Sequence, residues 1–182
     1  MLIQYVSKAK RVGEIALNPN HDKKLSLVAD PHLSIEELRS NIGRVYFITV
    51  NGEIVKIGGS QCKGGIQGTI GAYLGGFAQG MSPRSYCGWH YMRQHIEAGN
   101  KVEFYVIHAP TTKAKIPSMN SEIEVEIAVD FHQIESACVK EYVEIETKYP
   151  FLNMQESGQK WRDMSGPSGK LLEGYPGIIE TE

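Results

Sequence analysis

The chain has 182 residues, 41% of them hydrophobic and 9% aromatic, with a formal net charge of −2. That length suits one domain with a tail, and that composition excludes a disordered or fibrous chain. The near-neutral charge excludes a uniformly basic coat for nucleic acid but leaves room for a local basic groove. No hydrophobic run approaches the ~20 residues of a membrane span, so no membrane partner is expected. No apolar leader opens the chain, and a cytoplasmic protein is expected. Cys62, Cys87 and Cys138 are odd in number and lack metal-finger spacing. They point to reduced thiols rather than disulfides or zinc ligands.

In chain order, residues 1–43 read as an N-terminal extension. Leu2, Ile3, Tyr5 and Val6 suggest a short strand, and Asn18-Pro19-Asn20 and Pro31 mark breaks. Ser34 followed by Glu36 and Glu37 predicts a helix over 35–40, a capping hydroxyl placed before carboxylates in the positive first turn. The extension either packs on the main domain or serves as a contact arm for nucleic acid or a second subunit.

The stretch 45–60, VYFITVNGEIVKIGGS, predicts two short strands joined at Asn51-Gly52. Asn-Gly is the strongest short hairpin signal because both turn positions need φ > 0. Tyr46 and Lys56 interrupt the apolar alternation, and the second strand runs into Gly58-Gly59. Taken singly, each polar residue is explained by an amphipathic strand with a wet tip.

Residues 58–80 are glycine-rich, yet Lys63 precedes Gly64-Gly65, the wrong order for a nucleotide-binding P-loop. A loop against the phosphates of a polymer fits better, with a helical turn over 69–74 carrying Tyr73. The run WHYMRQHIEA predicts a helix over 89–98, with Trp89, Met92 and Ile96 on one face and His90 and Arg93 off it. KVEFYVIH predicts a strand over 101–108 ending in His108. A loop over 110–121 carries Lys113 and Lys115, and EIEVEI predicts a half-exposed strand over 122–127. A long helix follows over 130–148. Ile134, Ala137, Cys138, Glu141, Tyr142 and Ile145 fall near one stripe, which sets the Glu141 carboxylate on or beside the buried face. Beyond residue 154, Trp161, Leu171, Leu172, Tyr175 and Ile178 are packing candidates, and Trp161-Arg162 is a possible nucleic-acid contact.

The order V-Y-F-I, tight turn, V-K-I-G-x-S resembles the GIY-YIG nuclease superfamily. Tyr46 matches the tyrosine of the first motif. Lys56 stands where the second tyrosine usually stands, a replacement found among its small restriction endonucleases. The passage from the helix through Ala98-Gly99-Asn100-Lys101 into V-E-F-Y resembles the same portion of a phage member. The resemblance covers residues 44 to about 155, leaving 156–182 as a tail. It implies an α+β fold, a small, mainly antiparallel sheet flanked by helices. It also implies hydrolysis of phosphodiester bonds in double-stranded DNA, a Mg²⁺ or Mn²⁺ cofactor and, for two-fold sites, a homodimer.

The resemblance implies Tyr46 as general base and Lys56 as its tuning or phosphate-contacting partner. A free phenol has a pKa near ~10, and a neighbouring ammonium favours the phenolate. Glu141 is the implied metal ligand, with Glu135 ranked second, and Asn153 in Tyr149-Pro150-Phe151-Leu152-Asn153 is the implied structural asparagine. Tyr73 matches a second phosphate-facing tyrosine. Thr69 stands where the family has a catalytic arginine. Arg84 is the first stand-in for it and Lys63 the second; Lys63, Arg84 and Arg93 are the expected DNA contacts. A sequence-specific restriction or phage endonuclease is the leading expectation. The alternative is a DNA-binding module that does not cut, because of Thr69.

Overall fold

The computed structural model describes residues 1–75, 82–158, 160 and 163–172. At its centre is the expected hairpin, β3 (Arg44–Val50) and β4 (Glu53–Ser60). Asn51 and Gly52 take φ of 49° and 81°, the left-handed pair such a turn requires. Three further strands join it: β1 (Lys10–Leu17), β2 (Leu25–Ala29) and β5 (Val102–His108). The five-stranded sheet has the order β2-β1-β5-β3-β4 and is antiparallel at every junction. β3 is buried along its whole length, while β4 is an edge strand.

Helices cover both faces. On one lie α2 (Gly65–Leu74) and α3 (Pro83–Glu97), packed over Tyr46, Ile48 and Phe104. On the other lies α4 (Phe131–Glu146), packed over Val45, Phe47, Ile54 and Ile57. A short α1 (Ile35–Arg39) begins at a capping box between Ser34 and Glu37, as its sequence predicts. Among the described residues no helix is long and apolar enough to cross a membrane.

Four expectations need correction. Residues 1–43 are no appendage, because β1 and β2 supply two strands of the central sheet and Ile3 sits in a 3-10 turn rather than a strand. Helix α3 starts at Pro83, six residues before the predicted start at Trp89, because the Ser82 side chain accepts from Ser85 N and Pro83 fills the first turn. The loop over 110–121 is largely β6 (Thr111–Pro117), paired with β7 (Glu122–Ala128) in a separate two-stranded ribbon. Its Thr and Lys residues hid the strand, because both faces are wet. Helix α4 is also turned relative to the predicted stripe. Tyr142 is its buried residue, with Ile134, Cys138 and Val139 half-buried beside it, while Glu141 and Ile145 are exposed.

After α4 the chain crosses the outer edge of β4. Leu152 N donates to Val55 O, and the buried Asn153 side chain bonds both Ile57 N and Ile57 O at 2.9 Å. Met1 O accepts from Ile54 N further along. An exposed strand edge invites pairing with other chains. Here it is closed as far as residue 57, and the glycine end, residues 58–60, lies beyond these caps. The four-residue α5 (Met154–Ser157) follows, then β8 (Ser165–Gly166) and β9 (Gly169–Lys170), after which Leu171 and Leu172 bury against the α3 face of the core. Trp161, Arg162, Tyr175 and Ile178 lie outside the described residues.

Candidate active site

The site is built by missing side chains. On β4, a Cβ at Gly58 would sit 2.4 Å from the Tyr46 hydroxyl, and one at Gly59 would sit 2.4 Å from Glu135 Oε2. Successive strand residues face opposite sides of a sheet. The Tyr46 phenol and the Glu135 carboxylate therefore approach one piece of bare backbone from its two sides. A third glycine, Gly88 on α3, makes room for the Tyr73 ring, which a Cβ there would meet at 2.7 Å.

Tyr46 stacks on Phe104 with ring centroids 5.6 Å apart, and its hydroxyl lies 2.9 Å from that of Tyr73. Tyr73 comes from the inward face of α2, where the sequence placed it. Lys56 pairs with Ile48 and shares the Tyr46 face of the sheet, since Tyr46 pairs with Gly58 two residues on. It is only 7% exposed, and burial pulls its ammonium down to about 8, with Glu156 and Glu135 resisting and Arg84 assisting. Arg84, exposed in the first turn of α3, is close enough to influence Tyr46, Lys56 and Tyr73. The structure therefore brings Tyr46, Lys56, Tyr73 and Arg84 together.

It does not bring Glu141. That residue is exposed and opens onto a separate cavity of about 170 Å³ with Met1, Tyr5, Lys8, Phe47 and Cys138, on the same side of the sheet as Glu135 but lined by neither Gly58 nor Gly59. Glu135 takes its place and acts electrostatically on all three of Tyr46, Lys56 and Tyr73. The reason is helical phase. Glu135 precedes Tyr142 by seven residues, about two turns, and so shares the sheet-facing side of α4. Glu141 lies next to Tyr142 in sequence and about a quarter turn away from it. The signal was in the sequence, in the i, i+3, i+4, i+7 spacing of Glu135, Cys138, Val139 and Tyr142.

The electrostatics of Tyr46 also differ from expectation. Burial, then the charge and hydrogen bond of Tyr73, push the phenol well above its usual value. Arg84, rather than Lys56, is the cation that opposes this. Tyr73 is raised too, again by burial first. The pair therefore stands as two neutral phenols.

Thr69 shows why no arginine stands there. It faces inward, and its Oγ1 accepts from the fully buried Arg44 Nη1 at 3.1 Å and lies 2.9 Å from Ser60 Oγ. Arg44 is held further by the carbonyls of Ser40 and Ile42. An arginine at residue 69 would meet this cation directly. Lys63 is exposed just before α2. Arg93 is engaged elsewhere, donating to Glu97 at 2.7 Å and to Asp22 O at 2.8 Å, and so does not serve the cluster. His108 lies at the far end of β5, near Arg44 and Glu37.

A family-implied divalent cation finds Glu135 and Glu156 on one cleft here rather than a cage. Among the described residues no group of three or more His, Cys, Asp or Glu side chains is placed to hold a metal ion. Glu135 at a position that a Cβ would fill fits a hard cation of the Mg²⁺ type, which takes one or two carboxylates and completes its shell with water and phosphate oxygens.

A five-stranded antiparallel sheet with helices on both faces, and a central hairpin whose glycine corner admits a tyrosine, is an α+β fold shared with a solved endonuclease structure. The chain is similar to a mutant of the bacteriophage T4 EndoII, with a TM-score of 0.50 and 16% identity over 83% of this chain and 95% of that one. It is also similar to the restriction endonuclease HPY188I in complex with product DNA, with a TM-score of 0.44 and 18% identity over 81% of each chain. No family model and no curated protein sequence matches the chain.

Proposed function

We propose that this protein is a metal-dependent endonuclease that hydrolyses phosphodiester bonds in double-stranded DNA, in the manner of a restriction or phage endonuclease. The observation that carries the reading is the meeting of Tyr46, Tyr73, Lys56, Arg84 and Glu135 at the glycine end of β4. Cleavage requires a proton acceptor for water and positive charge against the developing phosphorane. Tyr46 accepts the water's proton as its phenolate, the form reached once its own proton has passed to solvent and favoured by the nearby Arg84 guanidinium. Tyr73 donates a hydrogen bond to the attacked group, and Lys56 and Arg84 hold the phosphate charge. Arg84 supplies the cation that residue 69 lacks. Glu135 would hold Mg²⁺ or Mn²⁺; such an ion supplies stabilisation of the leaving oxygen. Asn153 fixes the Lys56–Ile57 backbone and has no chemical part. A protein acting on two-fold DNA sites would work as a homodimer, and a cytoplasmic location accords with the free thiols.

The test is plasmid nicking with Mg²⁺ and with Mn²⁺, run beside a gel-shift assay. Nicking that disappears in Tyr46→Phe, with binding retained, supports the reading. Two observations favour the second reading, a DNA-binding module without cleavage: Thr69 is turned inward, and the Tyr46 phenol is held neutral. Binding without nicking under either metal would select it.

A further inference from the structure

The cavity beside the capped end of β4 takes no part in the chemistry proposed above, yet it is built like a binding site. It holds about 390 Å³, within the range of roughly 300–1,000 Å³ that takes a small organic ligand. Its walls are rings from three segments: Tyr91 of α3, Tyr142 of α4, and Tyr149 and Phe151 of the chain that crosses the edge of β4. Phe151 lies against Tyr91 with ring centroids 4.9 Å apart, and the bond from Leu152 N to Val55 O anchors it. Tyr142 is pinned through its hydroxyl to Ile54 O at 3.3 Å. Tyr149 is 38% exposed and lines both this cavity and the cleft of about 470 Å³ that holds Glu135 and Glu156.

The polar groups of the cavity are unengaged. Among the described residues the Tyr91 and Tyr149 hydroxyls make no hydrogen bond, and the Glu53 and Lys148 side chains make no ion pair. The Glu53 carboxylate is felt inside, because burial and then its charge push the Tyr91 phenol up to about 12. Glu53 and Lys148 are both exposed and carry opposite charges. A purely cationic guest would be repelled by Lys148 and a purely anionic one by Glu53. A flat ring with an amino edge and an attached phosphate suits both, and its faces suit aromatic walls.

We propose that this cavity is a nucleotide pocket, with the base stacked on Tyr149, its amino edge toward Glu53 and its phosphate toward Lys148. The nucleotide is either free in solution or one turned out of a DNA strand lying in the Glu135 cleft. The proposal deepens the nuclease reading, on which its purpose rests. Because Tyr149 is a wall of both spaces, a base held here would fix the strand beside the acid.

The test reads binding rather than cleavage. The full-length protein with isotope-labelled tyrosine is titrated by NMR with dGMP, dAMP, dCMP, dTMP and deoxyribose 5-phosphate, and Tyr149 is assigned by its absence from Tyr149→Phe. Saturable upfield shifts of the Tyr149 and Tyr91 rings are expected with the nucleotides, tighter for dCMP than for dTMP, which lacks the amino group, and none with the sugar phosphate. Tyr149→Ala should weaken dGMP binding on the order of tenfold. Lys148→Ala should bring dGMP down to the affinity of deoxyguanosine. A duplex with one mismatched pair tests the source. If it shifts Tyr149 more strongly than the matched duplex, the base comes from DNA; shifts with mononucleotides alone assign the pocket to free nucleotide, and either result upholds the proposal. Silent tyrosine rings with every nucleotide and duplex, or unchanged dGMP affinity in both variants, overturn it. Nucleotide binding by a protein that nicks no DNA would uphold it and refute the nuclease reading alone.

Discussion

The two ends of β4 are alike in sequence position and opposite in purpose. At residues 53–55 the strand is capped by Met1 and Leu152, and the cavity beside it, about 390 Å³, is lined by Tyr91, Tyr142, Tyr149 and Phe151. At residues 58–59 the strand has no side chains at all, and the titratable groups converge across it. One end of the strand is closed by chain segments bonded along its edge, and the other leaves its backbone bare.

Several substitutions would break that contrast. The largest effect is expected from Tyr46→Phe, which removes the proton acceptor and should reduce nicking by roughly 10²–10⁴-fold with DNA binding intact. Next come Gly58→Ala and Gly59→Ala. Each methyl would overlap Tyr46 or Glu135, and each should lower cleavage on the order of tenfold and stability by about 1–3 kcal/mol, read by urea denaturation. Glycine removals at Gly52 or Gly99 are a useful contrast, since a Cβ there meets no atom and only the positive φ resists it.

At the capped end, Asn153→Ala strips partners from both Ile57 N and Ile57 O. Each buried unsatisfied group costs about 1–3 kcal/mol, so a loss of roughly 2–4 kcal/mol is expected in denaturant titration. Lys56→Met should do the reverse. It removes a buried ammonium and should stabilise the fold by about 1 kcal/mol while abolishing cleavage, the trade expected of a functional charge. The sign of the pH dependence follows. Lys56 is protonated up to about 8 in the folded chain and up to 10.5 in the unfolded one. The unfolded state thus binds more protons between those values, and the Lys56 contribution to stability rises with pH across that window. The advantage of Lys56→Met should shrink over the same range. The smallest effect is expected from Arg93→Ala, because that guanidinium is held by Glu97 and Asp22 O, with nicking near wild type.

Much of this was legible in the sequence. The hairpin and its turn announce themselves through an Asn-Gly pair and period-two alternation, and Tyr46, Lys56, Tyr73 and Asn153 through the family resemblance. The remainder depends on information a local pattern lacks. The phase of α4 was ambiguous because apolar and charged residues alternate around it, and Ala137 and Ile145 pulled the predicted stripe away from Glu135. β1 and β2 were missed because they join the sheet through the pairing of β1 with β5, which lies far along the chain. Arg44 carried no sequence signal, since a fully buried arginine on a strand is rare. Only the fold reveals that it fills the space beneath Thr69.

The most direct measurement is a side-by-side nicking assay of Glu135→Gln and Glu141→Gln with Mg²⁺ and Mn²⁺. Loss of at least 100-fold in Glu135→Gln, with Glu141→Gln near wild type, is the result expected from the placement of the two acids on α4. Full activity in Glu135→Gln, with loss in Glu141→Gln, would contradict it.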